Sequence, residues 1–389
     1  MNWLNRHARS VLEEWRAAGL ERTPAVFSTG QSPVSCIDGD EYVLFSSSNY
    51  LGLAEHPAVI GAAEQALAHF GAGSGGSRLT TGTTVSHRQV ERDFARFLGY
   101  EDAVFFSAGF LVNTGVVQAL AGPGVLILSD DRNHASIIDG CRLAKAQGAT
   151  VRVYRHRDPA HVDELLAQHD GGAIVITDGL FSMDGTIAPV PELLAVCRSH
   201  GAVLMVDDAH GTGTLGATGR GINEHFTLID DLPDILVATA SKALGVEGGA
   251  VATSAPVAAL LRQKARTFVY STSSAPATCE AVSAAIGILE GEATPVPALH
   301  RNIRRLARHL GMGEWPSPII PVPIGGESEA VRAAAALREA GYFVPAIRWP
   351  TVPRGAAMLR VTVMATHTDE QIDGLAHAIA QLGTCSLPG

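Results

Sequence analysis

Charged residues, aromatic residues and lysine are all scarce in this sequence of 389 residues. Charged residues make up 17% and aromatic residues 6%, against 46% hydrophobic residues, a balance that excludes an intrinsically disordered chain. The net charge of −10 argues against a general nucleic-acid-binding protein. No stretch approaches the ~18 consecutive apolar residues that a membrane span requires. We therefore expect a soluble protein that contacts neither nucleic acid nor membrane.

Five cysteines are scattered along the chain, and no two of them form a C-x-x-C pair. They are Cys36, Cys141, Cys197, Cys279 and Cys385. We expect no metal site, because metal-ligand spacing is absent, and the odd, scattered set indicates reduced thiols in a cytoplasmic protein. The N-terminal segment mixes charged with apolar residues at helical spacing, so it is not a secretory signal.

From about residue 100, short apolar runs alternate with helical patterns. The runs are continuous and rich in β-branched residues, as expected of strands that are buried on both faces. They are AVFF (103–106), VLIL (125–128), VRVY (151–154), AIVIT (173–177), AVLMV (202–206), ILVAT (235–239) and AVAT (250–253). This alternation predicts an α/β fold with a mostly parallel central sheet.

The segment GEATPVP (291–297) interrupts this alternation. We predict an N-terminal arm over residues 1–50, a large domain over 51–290 and a smaller α+β C-terminal domain over 291–389, on which the arm packs. A closing helix follows Thr368, which is spaced to form a capping box with Gln371.

Lysine gives the sharpest indication of chemistry, because there are three lysines against 26 arginines. Lys145 and Lys264 lie in charged helical contexts that are typical of solvated surface. Lys242 follows the run ILVAT among small and apolar residues, where loss of hydration favours a neutral, nucleophilic amine. Such a lysine suggests a Schiff base with pyridoxal phosphate (PLP). A structural lysine paired with Glu247 or a loop carboxylate is the alternative.

PLP needs further groups, and polar loops at the carboxyl ends of several strands offer them. Asp207, with Asp208 as the alternative, is placed to keep the pyridine nitrogen protonated. His134 is a candidate to stack on the ring, and His210 a candidate to contact the phenolic oxygen. Backbone N–H groups at a helix start and nearby hydroxyls suit the phosphate. The candidates for the phosphate are Gly109, Phe110, Ser182 and Thr239.

Two glycine-rich segments carry other interpretations. GTGTLG (211–216) matches a dinucleotide fingerprint, but DDAH separates it from its strand and turn residues follow it. A nicotinamide-dependent oxidoreductase is therefore the weaker hypothesis, and a binding protein without turnover would not need Lys242. GAGSGGSRLTTG (71–82) is a flexible linker or, at least equally, a close-approach loop at the site or a subunit boundary.

Taken together, the motifs resemble those of α-oxoamine synthases, which are PLP-dependent enzymes of fold type I. The resemblance covers almost the whole chain. Its motifs are SNYLGL (48–53), GSGGSR (73–78), SAGFLVN (107–113), RNHASIIDG (132–140), DGLFSMDG (178–185), VDDAHGTG (206–213), SKALG (241–245) and RWPTVPRG (348–355). Two departures occur: Ser48 replaces an asparagine of the family pattern, and Asp178 stands where some members carry glutamate.

The resemblance implies roles for particular residues. Lys242 would carry the cofactor, Asp207 would partner the pyridine nitrogen, His134 would stack on the ring and His210 would contact the phenolic oxygen. The other implied cofactor positions are Gly109, Phe110, Ser182 and Thr239, with Thr272 lent by the neighbouring subunit of a homodimer whose sites lie at the interface. The implied substrate contacts are Arg22, His134 and Thr351, with Arg360 for the amino-acid carboxylate and Arg348 for the acyl group.

The implied reaction is a decarboxylating condensation of an amino acid with an acyl thioester, in which Lys242 removes the Cα proton. The expected substrates are L-alanine and pimeloyl-CoA, or pimeloyl-carrier protein, in biotin biosynthesis. A sister enzyme using glycine and another acyl-CoA, such as glycine C-acetyltransferase or 5-aminolevulinate synthase, is the alternative.

Overall fold

The N-terminal arm consists of one helix and a two-stranded ribbon. The structure is a computed structural model and describes residues 2–383, so Cys385 lies outside the described residues. Helix α1 is capped by the side chain of Asn2, which accepts a hydrogen bond from the backbone N–H of Asn5 at 3.0 Å. The elements of the arm are α1 (Trp3–Ala17) and the antiparallel strands β1 (Val34–Ile37) and β2 (Asp40–Leu44). A short 3-10 helix (Leu53–Glu55) follows the arm.

A seven-stranded sheet forms the centre of the fold. Its strands are β3 (Asp102–Phe106), β4 (Leu126–Asp130), β5 (Thr150–Tyr154), β6 (Ala173–Asp178), β7 (Val203–Asp207), β8 (Ile235–Thr239) and β9 (Gly249–Thr253). Their order is β3-β9-β8-β7-β6-β4-β5, and only β9 runs antiparallel to its neighbours. All seven predicted runs are strands, and the mostly parallel sheet is confirmed.

Helices cover both faces of this sheet. They are α2 (Pro57–Phe70), α3 (Val85–Leu98), α4 (Gly109–Leu120), α5 (Ala135–Ala146), α6 (Pro159–Leu166), α7 (Val190–His200), α8 (Ile222–His225), α9 (Ala255–Lys264), α10 (Arg266–Val269) and α11 (Pro276–Glu290). Successive strand residues enter two separate cores: Val206 packs in one and Met205 in the other. This double burial explains the continuous apolar runs.

Strand β5 departs from the expected burial. It pairs only with β4 and therefore forms an edge of the sheet. Val153 is 59% exposed, whereas Tyr154 is fully buried. The prediction that every run is buried on both faces is wrong for this strand, because one of its faces is left open to solvent. The other edge strand, β3, is buried because α3 and α9 pack against it.

The C-terminal part contains a second, smaller sheet, and a further short strand of this part pairs with the arm. Its elements are α12 (Val296–His309), β10 (Ile319–Gly325), α13 (Glu327–Glu339), β11 (Tyr342–Phe343), β12 (Ala346–Ile347), β13 (Ala357–Thr362) and α14 (Asp369–Gln381). Strands β10, β13 and β12 form the antiparallel sheet, while β11 pairs with β2 of the arm. The capping box of Thr368 and Gln371 is confirmed. The boundaries at residues 50 and 290 stay predictions.

None of the helices within residues 2–383 is both long and apolar enough to cross a lipid bilayer.

A buried ion pair fixes the glycine-rich loop 71–82 to the large sheet. Arg78 on this loop donates to Glu91 on α3 at 2.8 Å, and both side chains are almost completely buried. Arg78 also donates to the carbonyl of Phe105 on β3 at 2.9 Å. Glu91 therefore neutralises a guanidinium that has little access to water. Breaking such a pair leaves an uncompensated buried charge.

We expect the Glu91→Gln variant to lose about 3 kcal/mol of unfolding free energy, because Arg78 keeps its charge but loses its counter-ion. Urea unfolding measures this loss. The matched control is Glu329→Gln, which removes the exposed partner of Arg332 and should change little. Equal effects of the two substitutions would contradict a structural role for the buried pair.

Candidate active site

A cavity of about 260 Å³ opens at the carboxyl ends of β6, β7 and β8. It brings together all eight of the cofactor-binding residues that were predicted to come from one chain. They are Gly109, Phe110, His134, Ser182, Asp207, His210, Thr239 and Lys242. The residues come from five separate segments, which parallel strand order brings to one edge of the sheet.

Lys242 lies three residues after β8 and is half-buried in the cavity wall. Loss of hydration lowers the pKa of its ammonium group, although the negative charge of Asp207 opposes this effect. Within residues 2–383 no salt bridge joins Lys242 to a carboxylate, so pairing with Glu247 is not supported. Lys145 and Lys264 are exposed, as their contexts indicate. Burial therefore shifts the amine of Lys242 toward its neutral form relative to an exposed lysine.

Asp207 ends β7 with its carboxylate held on both oxygens. Its Oδ2 atom accepts from the side-chain amide of Asn113 at 2.6 Å, and its Oδ1 atom accepts from the backbone N–H of Ala209 at 3.0 Å. Asn113 lies on α4 and donates its second proton to Ser136 Oγ at 2.9 Å. These donors stabilise the ionised form of Asp207, which is the form that a pyridinium nitrogen requires.

Asp208 points elsewhere and is not the cofactor partner. Its carboxylate accepts from Thr212 Oγ1 at 3.0 Å and from the backbone N–H of Ile222 at 3.1 Å. Burial raises its pKa to about 8. A Cβ atom on Gly211 or Gly221 would collide with this carboxylate at 1.9 Å. Gly211 and Gly221 thus make room for Asp208. Turn residues follow GTGTLG (211–216), and the next helix, the four-residue α8, begins only at Ile222, so the dinucleotide interpretation fails.

His134 caps the start of α5 with its ring exposed to the cavity. Its Nδ1 atom accepts from the backbone N–H of Ser136 at 3.3 Å and lies 2.7 Å from Ser136 Oγ. Because a backbone N–H only donates, Nδ1 is unprotonated and the neutral ring carries its proton on Nε2. Partial desolvation lowers the pKa of His134. Phe110 meets the ring edge-on, with centroids 6.4 Å apart.

His210 is buried and paired with a tyrosine. Its Nδ1 atom forms a 2.8 Å hydrogen bond with the hydroxyl of Tyr50. Burial lowers the pKa of His210 well below its usual range and raises the pKa of Tyr50. Both side chains are therefore uncharged at neutral pH and can orient an oxygen without adding a charge to the cavity.

The start of α4 offers an anion cradle. No side chain caps this 12-residue helix, so its first N–H groups, at Gly109 and Phe110, face the cavity. Thr239 Oγ1 hydrogen-bonds Gly248 O at 2.9 Å and Ser241 Oγ at 2.8 Å beside it. A Cβ atom on Gly109 would lie 3.1 Å from Thr239 Oγ1, which explains the glycine. With this cradle, the amine, the carboxylate and the histidine ring, the residues present fit PLP.

Of the predicted substrate residues besides His134, Arg360 contacts a residue of the cavity lining, whereas Arg22, Arg348 and Thr351 are absent from that lining. Arg360 on β13 is 8% exposed and donates through Nε to the carbonyl of Ser182 at 2.5 Å, at the cavity edge. Arg348 donates to the carbonyls of Gly19 and Glu21 and so holds the end of the arm. The exposed residues Arg22 and Thr351 are outside the cavity lining. Their substrate roles stay predictions.

Thr272 also lies outside the cavity of its own chain. It forms a β-bridge with Ser77 in the glycine-rich loop, and Ser74 Oγ donates to the carbonyl of Ser273 at 2.9 Å. These contacts bring the loop 71–82 close to residues 272–273 of the same chain, and its place at the site or at a subunit boundary stays a prediction. A contact of Thr272 with the phosphate requires a second subunit and stays a prediction. Ser48 is half-buried beside Tyr50 and lies outside the cavity lining.

Sequence reasoning assigned no role to Asn113, Ser136 or Tyr50, although all three lie in the motifs. Asn113 is four residues after Gly109, so helical spacing places both on one face of α4. Ser136 is two residues after His134, at the start of α5. A chain of hydrogen bonds thereby links His134, Ser136, Asn113 and Asp207.

A desolvated lysine, a hydrogen-bonded carboxylate and an anion cradle lie together at the carboxyl edge of a mostly parallel sheet. This arrangement defines a PLP-dependent enzyme of fold type I. Residues 40–379 match the family model of class I and II aminotransferases, and the chain belongs to this family. PLP is its cofactor, and the resemblance to α-oxoamine synthases is confirmed.

Several known proteins are similar over nearly the whole chain. The biotin biosynthesis bifunctional protein BioWF of Corynebacterium kroppenstedtii is 45% identical over 97% of this chain, which spans only 58% of that protein's length. An 8-amino-7-oxononanoate synthase of Lysinibacillus sphaericus is 43% identical, with 98% of both chains covered. The solved serine palmitoyltransferase of Sphingomonas wittichii is 34% identical, with a TM-score of 0.91 over 98% of both chains.

We expect borohydride reduction of the PLP-loaded protein to attach the cofactor to the peptide that contains Lys242. The expectation follows from the position of this amine in the cavity. Peptide mapping by mass spectrometry detects the modified residue. Lys242→Ala should abolish the attachment, whereas Lys145→Ala, which removes an exposed lysine, should leave it unchanged. Attachment at Lys145 or Lys264 would contradict the assignment.

Proposed function

We propose that this chain condenses L-alanine with a pimeloyl thioester, releasing CO₂ and the thiol and forming 8-amino-7-oxononanoate for biotin biosynthesis. Relatives that carry this name are 43–47% identical over at least 95% of the chain. The structural observation that carries the proposal is the position of Arg360, which brings a guanidinium to a cavity that already contains Lys242.

Each residue of the cavity has a task in this reaction. PLP supplies an electron-withdrawing ring that stabilises negative charge at the amino-acid Cα. Lys242, whose neutral form is favoured, accepts the proton from Cα. Asp207 keeps a proton on the ring nitrogen. Arg360 binds the amino-acid carboxylate until this group leaves as CO₂. Asp178, Asp207 and His210, which line the cavity, are buried, so this part of the cavity has little contact with bulk water.

Serine palmitoyltransferase is the second candidate function. Its solved structures match this chain with a TM-score of 0.91. Their identity is only 30–34%, however, whereas the relatives named 8-amino-7-oxononanoate synthase reach 43–47%. The shared fold positions the cofactor in the same way for either amino acid, so the sequence identity favours the first function.

The proposed protein is a cytoplasmic homodimer. All predicted cofactor contacts except Thr272 come from one chain, and the loop that holds Thr272 carries the exposed apolar residue Tyr270. Leu79 within the glycine-rich loop and Val85 at the start of α3 are exposed as well. These residues suit a face that a second copy covers. The free thiols among the described residues suit a reducing compartment. We leave CoA and an acyl-carrier protein as alternative thioester donors.

We expect the purified protein to release CO₂ from L-alanine only when a pimeloyl thioester is present. Parallel assays with glycine and acetyl-CoA, and with serine and palmitoyl-CoA, separate the alternatives, since every pair releases a free thiol that can be measured. The result expected is turnover at least tenfold faster with the alanine pair, corresponding to about 1.4 kcal/mol of discrimination. Preferred turnover of the serine pair would contradict the proposal.

We expect Arg360→Lys to raise the KM for the amino acid about tenfold or more, because a planar guanidinium binds a carboxylate through two parallel hydrogen bonds and an ammonium does not. Steady-state kinetics at saturating acyl thioester measures this change. The PLP absorbance of the variant shows that the site is intact. Arg332→Lys, an exposed arginine with no part in the cavity, is the control. An unchanged KM in Arg360→Lys would contradict the assignment.

A further inference from the structure

Asp178 lies directly beside Asp207 in the central sheet. The two residues are register partners on the parallel strands β6 and β7, and both line the cavity. Neighbouring strands are about 4.8 Å apart, so the two carboxyl groups are close neighbours. Both side chains are also shielded from solvent, at 4% and 6% exposure. Two carboxylates at this separation in a poorly hydrated cavity repel each other strongly when both are ionised.

The hydrogen bonds of the two groups differ, and the difference decides which one carries the charge. Asp207 accepts a short hydrogen bond on each oxygen, from Asn113 and Ala209. From the described residues 2–383, the side chain of Asp178 accepts only a 3.4 Å contact, from the backbone N–H of His134. Among the salt bridges of residues 2–383, none involves Asp178. Asp207 is thus stabilised as an anion, and Asp178 is not.

We propose that Asp178 is a positioning residue whose carboxyl group stays protonated, so that the negative charge of the pair resides on Asp207 opposite the pyridine nitrogen. The role applies to any amino acid or acyl donor, so it rests on the cofactor class and not on the proposed reaction. A second anion at position 178 would draw Lys242 toward its charged form. A neutral Asp178 therefore also favours the free amine that the reaction needs.

The surroundings of Asp178 support this protonation. Burial comes first and the charge of Asp207 second in raising the pKa of Asp178 well above its usual range. The His134 N–H and Lys242 oppose the shift, and Asp130 on β4 adds to it. The other titratable or charged groups that line or border the cavity are His210 and Arg360.

A neutral Asp178 makes stability depend on pH in a defined direction. In the unfolded chain an aspartate ionises above a pKa of about 3.9, whereas the folded protein keeps the proton to a higher pH. The folded protein then binds one proton more, and its stability falls as pH rises through this interval. Asp178→Asn has the same shape and no such proton, so it should lack this component.

The first test compares the apparent unfolding constants of the wild type and Asp178→Asn in excess PLP from pH 5 upward. We expect the unfolding constant of the wild type, divided by that of Asp178→Asn, to rise about tenfold per pH unit until Asp178 ionises in the folded protein. The ratio cancels contributions that the two proteins share, including that of Asp208. A ratio that does not vary with pH would overturn the proposal, because Asp178 would then be ionised in both states.

The second test uses the cofactor. We expect Asp178→Asn to bind PLP within about threefold of the wild type, whereas Asp207→Asn, an equally isosteric change, should bind more than tenfold more weakly because it removes the charge. Equal weakening in both variants would overturn the proposal.

Infrared spectroscopy covers the case in which Asp178→Asn does not fold. The PLP-loaded wild type should show protonated-carboxyl absorption at neutral pH, and Asp178→Glu should shift one component of it. Asp208 supplies a separate component that this substitution leaves in place. If the substitution moved no protonated component, the proposal would be overturned whatever substrate the enzyme uses.

Discussion

The cost of holding charge in one small, poorly hydrated cavity determines how its side chains are arranged. Five ionisable side chains line the cavity, namely Asp178, Asp207, Lys242 and the two histidines His134 and His210. Asp178 and Asp207 end adjacent parallel strands, and Lys242 follows the next strand. Only Asp207 receives two close hydrogen-bond donors, so it is the group that the cavity stabilises as an ion. The remaining groups are neutral or favour their neutral forms, which leaves a single anion to face the cofactor ring and a free amine to act on the substrate.

The fold supplies the rigidity that this arrangement needs. The hydrogen bonds of Asn113 and Ser136 tie the start of α5 to the carboxylate on β7, across two loops. Asp208 is the next residue in the chain, and its carboxylate bonds the glycine-rich turns that follow it. Its side chain is not part of the cavity lining. Two consecutive aspartates thus have different positions: Asp207 lines the cavity, and Asp208 holds the loop that follows it.

The strands of the large sheet and the loops that carry the cavity residues were predictable, because both are marked by short, local sequence patterns. A strand that is buried on both faces must be continuously apolar, so all seven strands of the large sheet were found, and only the exposure of the edge strand β5 was missed. The strand-end loops likewise pointed to Lys242, Asp207 and His134, which line one cavity, while their roles stay predictions. The protonation of Asp178 was not predictable, because it depends on the register between β6 and β7. The role of Asn113 was not predictable either, because it depends on the contact between its side-chain amide and the carboxylate of Asp207, which the sequence does not reveal.

The protonation state of Lys242 tests the account most directly. The chain has three lysines, so isotope labelling of their side chains gives three resonances, and Lys242→Arg identifies the one that belongs to the cavity. In the PLP-free protein we predict that this resonance titrates below the ordinary lysine value of about 10.4, because burial disfavours the ammonium. Titration at or above that value would contradict the account, since the amine would then be charged and unable to accept a proton.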